Sequence, residues 1–481
     1  MFPVGVDGLE EVLGSALKAG TTLLIEGDPG AGKTVLAATI CYANAIRERP
    51  CLYVSLRERW EVFREEMLGL GMDFEELSDL RLFKYARLPV IINASMLSTV
   101  TKVITDYVAK IKPRVVVIDD IKLMVSTHRF SMHKVRSVIQ NFLYDLSSVI
   151  KGVTILVASW GGDDRAVAKE FEHAVDVVLE LHVSADEGML NRSIIIKKVR
   201  GSRVPSWGLP FRIVNGHGIK VLSIPVSIEE VSPPSSDVIR MPCRVLSNTA
   251  GNLHKGCLML VSYPPDGRCH ECVYLPVALM IALSRLKVAV VSFRISSSEI
   301  KYATAQALKR IGLDERLANE LVVHAVGVNP ALLGLDDVLG ICDDVLRNHC
   351  PDILVLHGTE ILDFLYGGSG KLASTLYNLA MRARLRGSSL VILYGKNHGS
   401  TYEALSALSS IVLRLEYVRE GNKIHPQLYV WGSGKTASVL SIDEVRQCID
   451  EGMKVLSTVK ERVRLGESLL KWGKKGRGVN V

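Results

Sequence analysis

Apolar and polar positions follow two rhythms along this chain. Short apolar runs, TTLLIE (21–26), CLYVSL (51–56), RVVVID (114–119) and VTILVAS (153–159), alternate with longer stretches of helical spacing. Runs so short and so uniformly apolar predict strands buried on both faces, as in a mostly parallel sheet covered by helices. The rhythm breaks at SIPVSIEEVSPPSSDVIRMPC (223–243), where four prolines and a Pro-Pro-Ser-Ser centre give linker composition. It then restarts. GTTLLI from Gly20 reads like GCLMLV from Gly256. Tyr53-Val-Ser-Leu-Arg reads like Val290-Val-Ser-Phe-Arg, and Val115-Val-Val-Ile like Ile353-Leu-Val-Leu. The offsets are 236, 237 and 238. Three strands at a near-constant offset predict an internal duplication. The expected organisation is α/β, with a first domain over 1–222, a linker over 223–245, a second domain over 246–442 and a C-terminal amphipathic helix and basic tail over 443–481.

Composition narrows the class. With 481 residues, 48% apolar and 23% charged, the chain has globular make-up and length for two cores, which excludes disorder as its main state. The longest apolar run, Val273 to Leu283, contains Pro276 and is far short of the ~20 residues of a membrane span. The start MFPVGVDGLEE has neither the basic nor the apolar region of a secretory signal. Nine scattered cysteines do not make a disulfide framework, so a reducing, cytoplasmic location is expected. The net charge of +7 is local. Residues 454–481 hold eight Lys and Arg against two Glu, leaving a near-neutral body with a basic tail that is either a nucleic-acid or anionic-surface contact or a solvated end.

The chemistry concentrates in one motif. Gly27-Asp28-Pro29-Gly30-Ala31-Gly32-Lys33-Thr34 follows an apolar strand and precedes a helix-forming run. This is a P-loop: glycines let backbone N–H groups wrap phosphates at a helix N-terminus, Lys33 reaches the β- and γ-phosphates, and the Thr34 hydroxyl ligates Mg²⁺. Asp119, ending RVVVID, suits the Walker B carboxylate that holds the same metal, with Asp120 beside it. Gly432-Ser-Gly-Lys435-Thr436 and Gly368-Ser-Gly-Lys371 lack the first glycine of the pattern and read as glycine-rich loops.

These elements, in this order, resemble the KaiC-type branch of the RecA-superfamily ATPases. The resemblance rests on Val6-Asp7-Gly8-Leu9 at the entry, LLIEGDPGAGKT (23–34), YVSLRE (53–58), VVVIDD, IIIKKVRGSRVP (194–205) and PFRIVNGHGIKV (210–221). It covers residues 4–222 well and 245–440 weakly. It implies two tandem RecA-like P-loop NTPase domains, ATP and Mg²⁺ as cofactors, and assembly into a homo-oligomeric ring, a hexamer, with nucleotide between subunits. By the same resemblance Lys198 and Arg200 are fingers reaching a neighbour's nucleotide, Glu58 polarises the attacking water, and Ser159 senses the γ-phosphate. The family usually has two adjacent glutamates where this chain has Arg57-Glu58. Arg57 is expected to pair with Glu58 and lower its basicity, making hydrolysis slow.

The second half reads as a degenerate copy. At the repeat offset Lys33 and Thr34 fall on Cys269 and His270, Glu58 on Ile295, Asp119 on His357, and the Lys-x-Arg pair near Tyr429 and Trp431. The fold is expected to persist without the chemistry, as a regulatory or ring-stabilising pseudo-ATPase. His254, Cys257, Cys269 and Cys272 have zinc-like spacing, but a strand over 257–262 would hold the ligands ~20 Å apart, so neither a metal site nor a redox pair is favoured.

Nucleic acid is a possible partner and not the favoured one. The ATPase core starts within ten residues of Met1, and GGDDRAVAKEFEHA (161–174), expected to line a ring's lumen, carries Asp163, Asp164, Glu170 and Glu172. A DNA channel is basic. The expected function is a Mg²⁺-dependent, slow ATPase with a regulatory or signalling role. A RadA-like DNA-repair ATPase and a nucleotide-gated scaffold without turnover are the alternatives.

Overall fold

A computed structural model describes the chain apart from residues 14–15, 89–93, 126–140, 144–145, 147–148, 162–163, 187–188, 203–207, 223–236, 252, 266–270, 314–315, 317–319, 368–369, 433–435 and 476–481. The chain divides into two compact units, Met1–Ile224 and Pro225–Val481.

The first unit is built on strands β1 (Thr22–Gly27), β2 (Cys51–Ser55), β3 (Phe83–Arg87), β4 (Val115–Asp119), β5 (Val153–Val157), β6 (Val177–Asp186), β7 (Met189–Val199), β8 (Leu209–Val214) and β9 (Gly218–Val221). They form one sheet in the order β3-β2-β4-β5-β1-β6-β7-β8-β9. Pairing is parallel from β3 through β6 and antiparallel from β6 to β9. The parallel strands read as continuous apolar runs because both faces are covered. Leu23, Val115 and Val117 join one core, while Leu24, Val116 and Ile118 join the other.

In the second unit a short ribbon, β10 (Val238–Ile239) with β11 (Leu253–His254), precedes β12 (Leu258–Ser262), β13 (Val288–Ser292), β14 (Val322–Gly327), β15 (Ile353–His357), β16 (Ser389–Tyr394), β17 (Ile411–Glu420), β18 (Lys423–Gly432) and β19 (Ser438–Ser441). The sheet order is β14-β13-β15-β16-β12-β17-β18-β19. Strand for strand, this repeats the first eight positions of the other sheet. Both sheets are flanked by helices, the architecture of tandem RecA-like domains.

The helix Ile442–Lys475 buries Val445, Cys448, Ile449 and Leu456 in the second unit's core. Cys448 forms a disulfide with Cys243, 205 residues away. The cysteine count predicted no disulfide framework, and this single bond was not foreseen. The pairing is invisible as a spacing because it depends on the C-terminal helix packing beside the helix Arg244–Ala250. Among the described residues no helix is long and apolar enough to cross a membrane.

Candidate functional site

The P-loop joins β1 to the helix Lys33–Ala45. Gly27 and Gly32 have φ of +130° and +98°, a region that disfavours side chains. A Cβ on Gly27 would lie 1.9 Å from the Leu181 carbonyl oxygen, and one on Gly32 would lie 2.7 Å from Ile213 Cδ1. Strand β6 and the β8–β9 hairpin therefore press on the loop at its two obligate glycines. Val183 N–H donates to the Asp28 carboxylate (2.9 Å), fixing the loop's near side to β6. Pro29 and Gly30 are exposed, whereas Ala31 is buried. The Lys33 ammonium folds across the loop and donates to the carbonyls of Gly27 (3.0 Å) and Asp28 (2.6 Å). Burial lowers its pKa, while Asp120 and Asp119 act to raise it.

Asp119 ends β4 beside the loop. The Thr34 hydroxyl donates to its Oδ2 at 2.8 Å, and Tyr53 OH donates to the same oxygen at 2.7 Å. Burial raises the carboxyl above its ordinary pKa, and the two hydroxyl donors oppose that shift. A hydroxyl and a carboxylate oxygen at this separation are hard donors suited to Mg²⁺. Asp120 has a separate job: it accepts from Lys122 N–H (3.1 Å) and from the Ser159 backbone, tying the end of β4 to the segment after β5. That contact places Ser159 beside the carboxylates at the end of β4.

Glu58 follows β2, its backbone N–H donating to Ser55 Oγ (2.9 Å). Burial raises its pKa, with Glu66 and Asp119 adding to the effect. The expected Arg57–Glu58 pairing does not occur, since no ion pair joins them among the described residues. The Arg57 charge acts instead on Lys33, Asp119 and Asp120. Burial and the neighbouring carboxylates thus act on Glu58 without an opposing guanidinium, and its basicity rises.

A buried network missed in the sequence lies behind the loop. Glu26, the residue before Gly27, is 2% exposed. Its carboxylate accepts from Trp160 Nε1 (2.8 Å) and Lys197 Nζ (3.0 Å), and Lys197 also reaches Glu172 (2.6 Å) and Glu180 (3.6 Å). Lys197 stands at the register shift in the β6–β7 ladder, a bulge that re-aims its side chain. Burial raises the Glu26 pKa against the pull of Lys197.

Lys198 and Arg200 are engaged within their own domain. The Lys198 ammonium donates to the carbonyls of Glu172 (2.8 Å), His173 (3.3 Å) and Val175 (2.6 Å), capping the helix Arg165–Ala174. Arg200 pairs with Asp176 (3.0 Å) and is 73% exposed. Reach toward a neighbour thus requires Lys198 to leave three carbonyls, whereas Arg200 already faces solvent. The acidic segment 161–174 makes ion pairs within the domain. Asp164 pairs with Lys122 and Glu172 with Lys197, so both charges are neutralised internally. Asp163 lies outside the described residues.

In the second domain the register puts His357 at the position of Asp119, Ser292 at Ser55 and Ile295 at Glu58. Ser292 Oγ accepts from Ile295 N–H as Ser55 does from Glu58 N–H, and it contacts His357 Nδ1 at 2.9 Å. Trp431 takes the place of Lys198, which was expected near Tyr429, and the counterpart of Arg200 lies outside the described residues. Cys269 and His270 also lie outside them. Cys257 and Cys272 are buried thiols, each pushed up to about 11 by burial.

Residues 2–226 match the family model described as the KaiC ATPase. A UPF0273 protein of Methanopyrus kandleri is 26% identical over 244 residues, covering 47% of this chain and 93% of that protein. The circadian clock protein KaiC3 of Synechocystis is 27% identical over 248 residues, 49% of this chain and 47% of the relative. The DNA repair protein RadA of Mycobacterium tuberculosis is 27% identical over 205 residues, 41% of this chain and 38% of the relative. The chain thus spans less than half the length of the KaiC3 and RadA relatives.

Proposed function

Taking as premise that residues 2–226 are a KaiC/RadA-type P-loop ATPase domain of the RecA superfamily, we propose that this domain binds Mg·ATP and hydrolyses it, while the second domain serves as a pseudo-ATPase. The slow rate expected from an Arg57–Glu58 pair loses its ground, since the Glu58 pKa is raised and the residue is not paired with Arg57. The observation that carries the reading is the placement of Thr34 Oγ1 2.8 Å from Asp119 Oδ2 at the mouth of a loop whose Gly27 and Gly32 leave no room for a side chain.

The loop's backbone N–H groups and Lys33 bind the phosphates, and Lys33 leaves the Gly27 and Asp28 carbonyls to do so. Thr34 and Asp119 would hold the metal, which would supply charge neutralisation for the phosphates. Glu58, its basicity raised by burial, accepts a proton from the attacking water. Ser159 contacts the γ-phosphate in this reading. Water adds to the γ-phosphorus, the bond to the β,γ-bridging oxygen breaks, and ADP and phosphate leave. Self-association into a ring, six subunits by family resemblance, completes the site with Arg200 acting in trans on a neighbour's nucleotide; Lys198 joins it if released from its cap. The role is regulatory or signalling.

Light scattering with and without Mg·ATP, with phosphate release counted in the same samples, tests this reading. ATP-dependent assembly with turnover lost in Lys33→Ala supports it. A persistent monomer overturns the trans roles. Absence of turnover in the presence of nucleotide binding favours the scaffold, and turnover stimulated by DNA with steep salt dependence favours the repair ATPase.

A further inference from the structure

Two tyrosines sit side by side behind the reaction centre. Tyr53 on β2 and Tyr85 on β3 are register partners, their rings stacked 5.7 Å apart at 8°. They lie in an aromatic cluster with Trp60, Phe63 and Phe83. Packing alone asks only for rings, and phenylalanine fills neighbouring positions. Yet both hydroxyls are directed. Tyr53, 1% exposed, donates to Asp119 Oδ2 (2.7 Å), and Tyr85 donates to the backbone carbonyl of Glu58 (3.1 Å). One stack thereby touches the carboxylate that holds the metal and the residue that activates water.

The second domain supplies an internal control. Its register partners at these positions are Val290 and Ala325. Both tyrosines are absent where Asp119 has become His357 and Glu58 has become Ile295. The sheet folds in the same order without them, so strand pairing does not require the pair.

We propose that Tyr53 and Tyr85 are positioning residues of the ATPase site, Tyr53 aiming the Asp119 carboxylate at the metal and Tyr85 setting the depth of Glu58 against the attacking water. This rests on the ATPase reading above. Thr34 and Tyr53 donate to the same carboxylate oxygen. A Thr34 hydroxyl that gives a lone pair to a metal keeps its proton for Asp119, and Tyr53 is a second donor fixing the same oxygen from the strand side.

The test uses the full chain and its Tyr53→Phe and Tyr85→Phe variants, which keep the rings. Binding of a methylanthraniloyl-ADP probe is titrated with and without Mg²⁺, and phosphate release from ATP is measured alongside. Tyr53→Phe is expected to weaken the Mg²⁺ dependence of probe binding about tenfold, the size of one lost hydrogen bond to a charged group, with metal-free binding unchanged. Tyr85→Phe is expected to leave both binding modes unchanged and to slow phosphate release about tenfold. Metal-free binding also reports folding of the site in each variant. Wild-type binding and turnover with both variants indistinguishable from it overturn the positioning role alone. Wild-type protein that takes up no Mg·nucleotide overturns the ATPase reading and this proposal with it.

Discussion

At the carboxyl end of one strand the first domain carries Asp119 and the second carries His357, and the surroundings change in step. Asp119 is met by Thr34 and Tyr53, whereas His357 is met by Ser292. On the strand leading into the loop, Glu26 becomes Ser262, and on the adjoining strand the pair Glu180–His182 becomes Arg414–Glu416, reversing polarity. The second domain has also acquired a buried ion cluster, in which Asp343 is held by Arg382, Arg347 and Arg386. Two sheets of one strand order thus commit their polar groups differently. The first domain arranges them around a loop that can bind phosphate. The second closes them on one another. Sheet order is set by apolar strands and short crossovers, and it tolerates either use of the strand ends.

The comparison breaks most sharply at Lys33. Lys33→Ala is expected to reduce phosphate release about a thousandfold through loss of the phosphate clamp, read in a steady-state assay. Glu58→Gln should lower turnover about a hundredfold while nucleotide affinity is kept; equal loss of both would remove Glu58 from the proton-accepting role. For the second domain, Asp343→Asn should cost about 3 kcal/mol of stability, because three arginines lose a buried partner, measured by denaturant unfolding. The guanidinium groups overcome burial and hold the Asp343 pKa below its usual value. Its contribution is therefore present above the unfolded-state pKa and is lost as pH falls through the lower folded-state pKa.

The pH profile sharpens the contrast further. Glu58 must be ionised to accept a proton, and its folded pKa is raised, so turnover should fall with decreasing pH around a midpoint above the ordinary 4.5. Glu66→Gln removes a like charge and should move that midpoint down. The smallest effect is expected at His357→Ala, with phosphate release within about twofold of wild type.

Legibility in the sequence followed the range of the interaction. The P-loop and Asp119 were readable because glycines, lysine and threonine lie within eight positions and the carboxylate ends a distinct apolar run. The duplication was readable from strand spacing, which helices of similar length preserve. The Trp160–Glu26 and Lys197–Glu26 contacts span 134 and 171 residues. A bulge decides that Lys197 reaches the loop strand while Lys198 caps a helix, and no local pattern announces it. The signal available was a glutamate in an otherwise apolar strand, since a buried carboxylate demands a partner. Tyr53 was concealed differently: an aromatic within a strand reads as core until its hydroxyl is seen to end at Asp119.

The Cys243–Cys448 bond turns most of the second domain into a covalent ring. Loop closure on that scale removes roughly 5 kcal/mol worth of unfolded-chain entropy. It also hides damage: a protease nick anywhere between the two cysteines leaves both fragments tethered, and the protein migrates at full mass until a reductant opens the ring.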